Sequence, residues 1–272
     1  MRHVMRMLAL AVAVQLTGAA PAFADGPPVE AAPGNSADTQ AVPAPLPTPA
    51  TPPLPSFGAS LKGLPRDVWR FVSLDTAIVA GIGLGAAGVG HLRDDEVLEE
   101  LQENVRFEDF VRPGNLFGSF AVQAGGALAV YAGARAAGHP RLAGVAMDVL
   151  RANVVSQAWT QAVKVAVHRD RPDGTRFSFP SGHSASAFAT ATVVHHAYGW
   201  KLGVPAYTLA TYVATARIAQ NHHYLSDVVF GAALGVAGGR TITIGRGAHR
   251  VQVRPALALG GFGLQCAVVS GR

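Results

Sequence analysis

Residues 164–183 read KVAVHRDRPDGTRFSFPSGH. The run leaves an apolar, Ala/Val-rich segment, is punctuated by Pro172, Gly174 and Pro180, and ends where a second Ala-rich segment begins. Proline lacks a backbone donor and biases the residue before it away from helix. The spacing therefore predicts a helix over 141–168, a loop over Asp170–Pro180 and a second helix from His183. Read as two turns of one helix, Lys164 and Arg171 leave the same face about 10.5 Å apart along the axis. Pro172 then stops that helix and puts Arg171 at a mouth. Ser181 is a good helix cap, and Gly182 lets a ligand approach the backbone. The free N–H groups of the first turn favour an anion there. His183, on that rim, is suited to give a proton to a leaving oxygen.

A second run, RIAQNHHYLSD at 217–227, supplies the remaining chemistry. His223 and Asp227 are four apart, one turn on a helix face, so the carboxylate can hold the imidazole. A neutral, oriented imidazole can attack phosphorus, with the carboxylate fixing its tautomer and balancing the charge that develops. Arg217, near the end of the preceding helix, adds a planar fork for phosphate oxygens, whereas Lys164 acts as a point charge. His222 has Ser226 rather than an acid four residues on, and is given no chemistry. His195 and His196 read as an exposed pair. The chain lacks His-Glu-x-x-His and paired-Cys spacings, and Lys164, Arg171 and Arg217 would repel a cation, so no metal is expected. These residue types suit phosphoryl transfer, which needs fixed cations, donors, a nucleophile and an acid.

Outward from these motifs the 272-residue chain is 49% apolar and only 14% charged, with 31 Gly. Typical soluble domains carry roughly 25% charged residues. The balance points to tightly packed helices or to lipid contact. A net charge of +5 comes without any Lys/Arg run or basic–aromatic interleaving, so no nucleic-acid partner is expected. The single cysteine, Cys266, excludes an internal disulfide.

Apolar runs between Gly/Pro breakers predict six helices, near 69–91, 115–137, 141–168, 183–199, 203–219 and 224–240. Pro140 and Pro205 are expected in first helical turns. The acidic stretch Asp94–Asp109 is expected to be a short exposed helix. The fold class is thus all-α, a six-helix bundle. Its expected division is a secretory signal over 1–24, a Pro/Ala-rich disordered linker over 25–60, the helical domain over 61–245, and a tail over 246–272. The signal rests on Arg2 and Arg6, an apolar run Met7–Leu16, and Ala22-Phe23-Ala24 as a cleavage site. Val251–Val253 and Leu264–Val269, flanking Gly260-Gly261, predict a small hairpin in the tail.

Only 113–134 lacks ionisable groups for about twenty residues, the length of a bilayer span. The other ion-free runs, 76–90, 202–216 and 228–239, are shorter. Charged side chains at mid-bilayer cost roughly 2.5–3.5 kcal/mol each. Export of the linker followed by six spans would also leave all three motifs facing the cytoplasm. On these grounds an exported periplasmic or cell-envelope protein is expected, soluble or peripheral rather than integral. Membrane contact stays open, as does the oligomeric state.

Lys164-x6-Arg171-Pro172, Pro180-Ser181-Gly182-His183 and Arg217-x5-His223-x3-Asp227, in this order, resemble the type 2 phosphatidic acid phosphatase superfamily. That superfamily also holds bacterial class A acid phosphatases and vanadium haloperoxidases. The likeness covers about residues 115–240 and departs from the family pattern at Ala216, where a Ser precedes the Arg. It implies His223 as nucleophile held by Asp227, and His183 as general acid. It implies Lys164, Arg171, Ser181, Gly182 and Arg217 as the phosphate-binding set. It implies no cofactor, vanadate binding as a phosphate mimic, and a phosphate ester, lipid phosphate or isoprenoid diphosphate as substrate. A vanadate-dependent haloperoxidase and a non-catalytic envelope protein on the same fold are the alternatives.

Overall fold

The computed structural model describes residues 56–103, 109–244, 250–258 and 261–269. The signal over 1–24 and most of the linker over 25–60 lie outside those residues. The linker's last residues are already folded. Ser56 caps helix α1 (Phe57–Lys62) by accepting from Ala59 N at 3.2 Å, and α2 (Leu64–Arg70) follows at once. The folded part thus begins before residue 61, because a serine cap and an apolar contact, Phe57 against Tyr131, outweigh the flanking Pro-rich composition.

The six predicted helical runs all hold helix. They are α3 (Leu74–His91), α6 (Phe120–Ala136), α7 (Pro140–Val167), α8 (Gly182–Tyr198), α9 (Trp200–Ala219) and α10 (Leu225–Thr243). The first run starts later than expected because Ser73 caps α3, accepting from Thr76 N at 3.2 Å. Between α3 and α6 lie α4 (Asp94–Gln102) and the short α5 (Gly114–Gly118). Extended backbone at Ser119 turns α6 by 62° from the helical segment before it. Pro140 occupies a first turn as expected, but Pro205 lies inside α9, which begins five residues earlier at Trp200. Strands β1 (Arg250–Ala258) and β2 (Gly261–Val269) pair antiparallel, with Val253 opposite Cys266, giving the expected hairpin.

Helices α8 and α10 form the centre of the bundle, with α3, α7 and α9 packed around them and α6 against α7. Small residues make this possible. A Cβ on Gly231 would meet the Ser181 carbonyl oxygen at 2.4 Å, and one on Gly235 would meet that of Ala185 at 2.4 Å. The two backbones are therefore in direct contact, as in helix pairs held by van der Waals packing inside lipid. That contact sets the start of α8 against the start of α10.

The expectation of a soluble or peripheral bundle is overturned. Leu74–His91 and Leu225–Thr243 are each long and apolar enough to cross a membrane, and Asp109–Gly118 with Phe120–Ala136 makes a bent third candidate. The outer face of α3 leaves Ile78, Ile82, Leu84 and Val89 between 55% and 62% exposed, a surface suited to lipid. Two of the charges that bound the ion-free runs, Asp75 and Arg240, are paired near helix ends, and Arg151 inside α7 is paired as well. Asp75 accepts from Arg240 at 2.6 and 3.0 Å, and buried Asp67 pairs with Arg151. Run length counted these groups as unpaired at mid-bilayer, which they are not.

Candidate active site

Three chain segments meet at one end of the bundle. Helix α7 stops at Val167 because His168 takes a left-handed conformation, φ 53°, and returns its N–H to Lys164 O. Lys164 is therefore on the helix and Arg171 is not, so the two do not share a helix face. Arg171 instead sits in a tight loop where its N–H donates to Thr175 O at 2.7 Å and its carbonyl accepts from Gly174 N at 3.0 Å. Lys164 is buried and donates to the carbonyls of Phe177 and Ser178, at 2.5 and 3.2 Å.

Ser181 caps α8, accepting from Ser184 N at a long 3.4 Å, and Gly182 opens the helix. Gln157 Nε2 donates to the Gly182 carbonyl at 2.7 Å and fixes that turn from α7. His183, in the first turn, hydrogen-bonds to the backbone of Asn115 on α5. The Asn115 side-chain oxygen accepts from Arg217. Buried Arg217 closes α9, and its carbonyl accepts from both His222 N and His223 N.

His223 lies in the turn before α10, not on the helix. The i, i+4 pairing with Asp227 therefore arises differently from the helical-face expectation. Asp227 is the third residue of α10, where its Oδ2 caps Tyr224 N at 2.9 Å and lies 3.5 Å from His223 Nδ1. The Ser178 hydroxyl donates to the same Oδ2 and is 3.5 Å from His223 Nδ1. Both neighbours face Nδ1, which leaves Nε2 free of them. His223 is 2% exposed. Burial pushes its imidazolium form down to about 4; Lys164 and Arg217 push the same way, and Asp227 opposes them.

The site residues expected from sequence thus come together: Lys164, Arg171, Ser181, Gly182, His183, Arg217, His223 and Asp227 cluster where α7, α8, α9 and α10 end or begin. Two buried nitrogens, Arg171 Nε and Arg217 Nε, have no protein partner. Desolvated guanidinium N–H groups beside a helix N-terminus fit an oxyanion. Four neighbours were not singled out from sequence: Asn115, Ser178, Arg169 and Asp94. His222, given no chemistry, pairs with Asp173 at 3.0 Å and ties the two site loops together. Thr175, through its hydroxyl and its N–H, holds the Asp173 carboxyl well below the usual carboxylate range, and His222 adds to this.

Residues 145–249 match the PAP2 superfamily. That match covers less than half of the chain. The lipid A 1-phosphatase of Porphyromonas gingivalis is 47% identical over 79 residues, 28% of this chain and 18% of that protein. The lipid A 4'-phosphatase of Helicobacter pylori is 31% identical over 91 residues, covering 29% and 46%. The decaprenylphosphoryl-5-phosphoribose phosphatase of Mycobacterium tuberculosis is 34% identical over 111 residues, covering 37% and 61%. The chain thus spans between a fifth and three-fifths of these curated relatives' lengths. Among solved structures, the transmembrane PAP2-type phosphatidylglycerolphosphate phosphatase of Bacillus subtilis shares the fold. Its TM-score is 0.51 at 18% identity, covering 66% of this chain and 94% of that one. That neighbour is a transmembrane protein, and here α3 and α10 are long and apolar enough to cross a membrane, which favours an integral over a soluble protein.

Proposed function

We propose that this protein is a PAP2-type phosphatase acting on a phosphorylated membrane lipid, through a covalent phosphohistidine on His223. The observation that carries the reading is the pair of unpartnered buried guanidinium nitrogens, Arg171 Nε and Arg217 Nε, beside a buried imidazole. In the first step His223 Nε2 attacks phosphorus and the bond from phosphorus to the leaving oxygen breaks. His183 gives its proton to that oxygen, and the lipid alcohol or phosphate departs. In the second step water attacks phosphorus while His183 takes its proton, the phosphorus–nitrogen bond breaks with its electron pair returning to His223 Nε2, and inorganic phosphate leaves. Lys164, Arg171 and Arg217, with Ser181 and the Gly182 backbone, hold the equatorial oxygens. Asp227 and Ser178 keep the His223 ring turned so that Nε2 faces phosphorus. None of these steps calls for a metal.

Helices long and apolar enough to cross a membrane support a lipid substrate, and the named lipid phosphatases among the relatives support it further. The test is phosphate release in detergent from short-chain phosphatidic acid, an isoprenoid diphosphate and a sugar phosphate. Rapid quenching with radiolabelled substrate is expected to trap an alkali-stable, acid-labile phosphoprotein that is missing in His223→Ala. Equal turnover by wild type and His223→Ala would discard the mechanism.

A further inference from the structure

Asp94 opens α4 in the acidic stretch that composition marks as solvent-exposed, yet it is 3% exposed. Its Oδ1 accepts from Ser226 N at 2.9 Å. Its Oδ2 accepts from Ser226 Oγ at 2.7 Å and from Arg169 Nη2 at 2.8 Å, and faces His91 Nδ1 at 2.8 Å. Arg169 uses its other terminal nitrogen, Nη1, to reach Asp227 Oδ1 at 2.9 Å and Ser226 Oγ at 2.7 Å. Its guanidinium lies over the Tyr224 ring, 4.1 Å from the centroid. Each oxygen of Asp227 therefore has a separate partner: Oδ1 is held by Arg169, and Oδ2 faces Ser178 and His223.

We propose that Asp94 and Arg169 are positioning residues for the phosphatase reaction, holding Asp227 in register and setting how strongly it supports His223. The inference rests on the hydrolase reading and deepens it. Bound to Arg169 alone, Asp227 would be largely neutralised, leaving little charge to stabilise a positive imidazole. Asp94 shares the same guanidinium, so the trio keeps one net negative charge next to His223. A bridging Arg suits this task because its planar fork addresses two carboxylates with two different nitrogens, which Lys cannot do. Asp94 lies outside residues 145–249, so the segment before the superfamily match completes the site.

The other charged or titratable groups acting on His223 or its neighbour His183 are Lys164 on α7, His183 on α8, Arg217 on α9, His222 in the turn before α10 and Asp227 on α10. These stay unchanged in the test. Asp94→Asn leaves Arg169 to Asp227 alone and weakens support for the imidazolium. The full-length variant in detergent is expected to lose on the order of tenfold in kcat, with KM nearly constant. The acid limb of its kcat/KM profile is expected to move down by on the order of half a pH unit. Asp94→Glu, which keeps the charge, should hold the limb in place. The double variant Asp94→Asn/Arg169→Gln removes a neutral pair, so its limb should return toward wild type while kcat stays low. A merely structural role would lower thermal stability without moving the limb. An unmoved limb in folded Asp94→Asn overturns the proposal; should that variant not fold, wild-type kcat in the double variant does so. A wild type releasing no phosphate sinks the hydrolase reading instead. The pair is then read by histidine nitrogen NMR, where an identical His223 midpoint in wild type and Asp94→Asn overturns it.

Discussion

The backbone N–H of Ser181 donates to the carbonyl oxygen of Asp227 across 2.9 Å. The bond links the cap of α8, which presents N–H groups to an anion, to the carboxylate that orients His223. Two motifs separated by some forty residues are thus one rigid unit. On the proposed mechanism, that bond ties the spacing of nucleophile and anion cradle to the α8–α10 contact.

Gly231 protects that unit by letting α10 reach Ser181, so adding one methyl group there is expected to break it. In Gly231→Ala the Cβ would stand 2.4 Å from the Ser181 oxygen and 3.2 Å from its carbonyl carbon. Overpacking of this kind costs typically 1–3 kcal/mol, and the displaced cap should also lower turnover. Gly85→Ala on α3, whose Cβ meets nothing within 4 Å, is the control and should be neutral or mildly stabilising. Thermal unfolding and phosphate release in the same detergent compare the two; matching behaviour counts against the role given to Gly231.

The pH dependence follows from the state of His223. Its nucleophilic form is neutral, and burial lowers its titration to about 4. The acid limb set by His223 should therefore lie near 4 rather than near the ordinary imidazole value of about 6.5, and the rate should fall on the basic side as His183, whose own titration burial also lowers, loses the proton it donates. The kcat/KM profile of the free enzyme reads this directly. An acid limb centred near the ordinary value would contradict the buried, cation-flanked environment.

The acid step is testable through the leaving group. His183→Ala should cost about 10²–10⁴-fold with an alkyl phosphate, whose alkoxide needs a proton. With p-nitrophenyl phosphate, whose phenolate leaves unprotonated, the loss should be far smaller. Parallel losses on both substrates would move His183 from proton donor to mere phosphate contact.

Much of the site was legible because its groups are motif-bound: Lys164, Arg171, His183, Arg217, His223 and Asp227 follow from spacing and residue type. How they meet was less legible. The left-handed turn at His168 takes Arg171 off the helix that carries Lys164, and nothing in residues 164–172 except Pro172 signals it. His223 precedes α10, so its approach to Asp227 depends on a capping turn rather than a helical face. Asp94 was read as exposed because acidic runs usually are; its burial depends on Arg169 and Ser226, more than seventy residues away. Membrane insertion was misjudged for a related reason. Run length registers Asp75 and Arg240 as separate interruptions, whereas they are one ion pair at the bundle end.

The elbow at Ser119 carries a last consequence. A straight rod through residues 109–136 would continue past the bundle and leave Asn115 remote from the motifs. Bent by 62°, the chain folds back like an eave, and this one asparagine steadies both a guanidinium and an imidazole. Extended backbone at a single serine thus governs two contacts with the candidate site, far along the chain from the charged residues that sequence inspection selects.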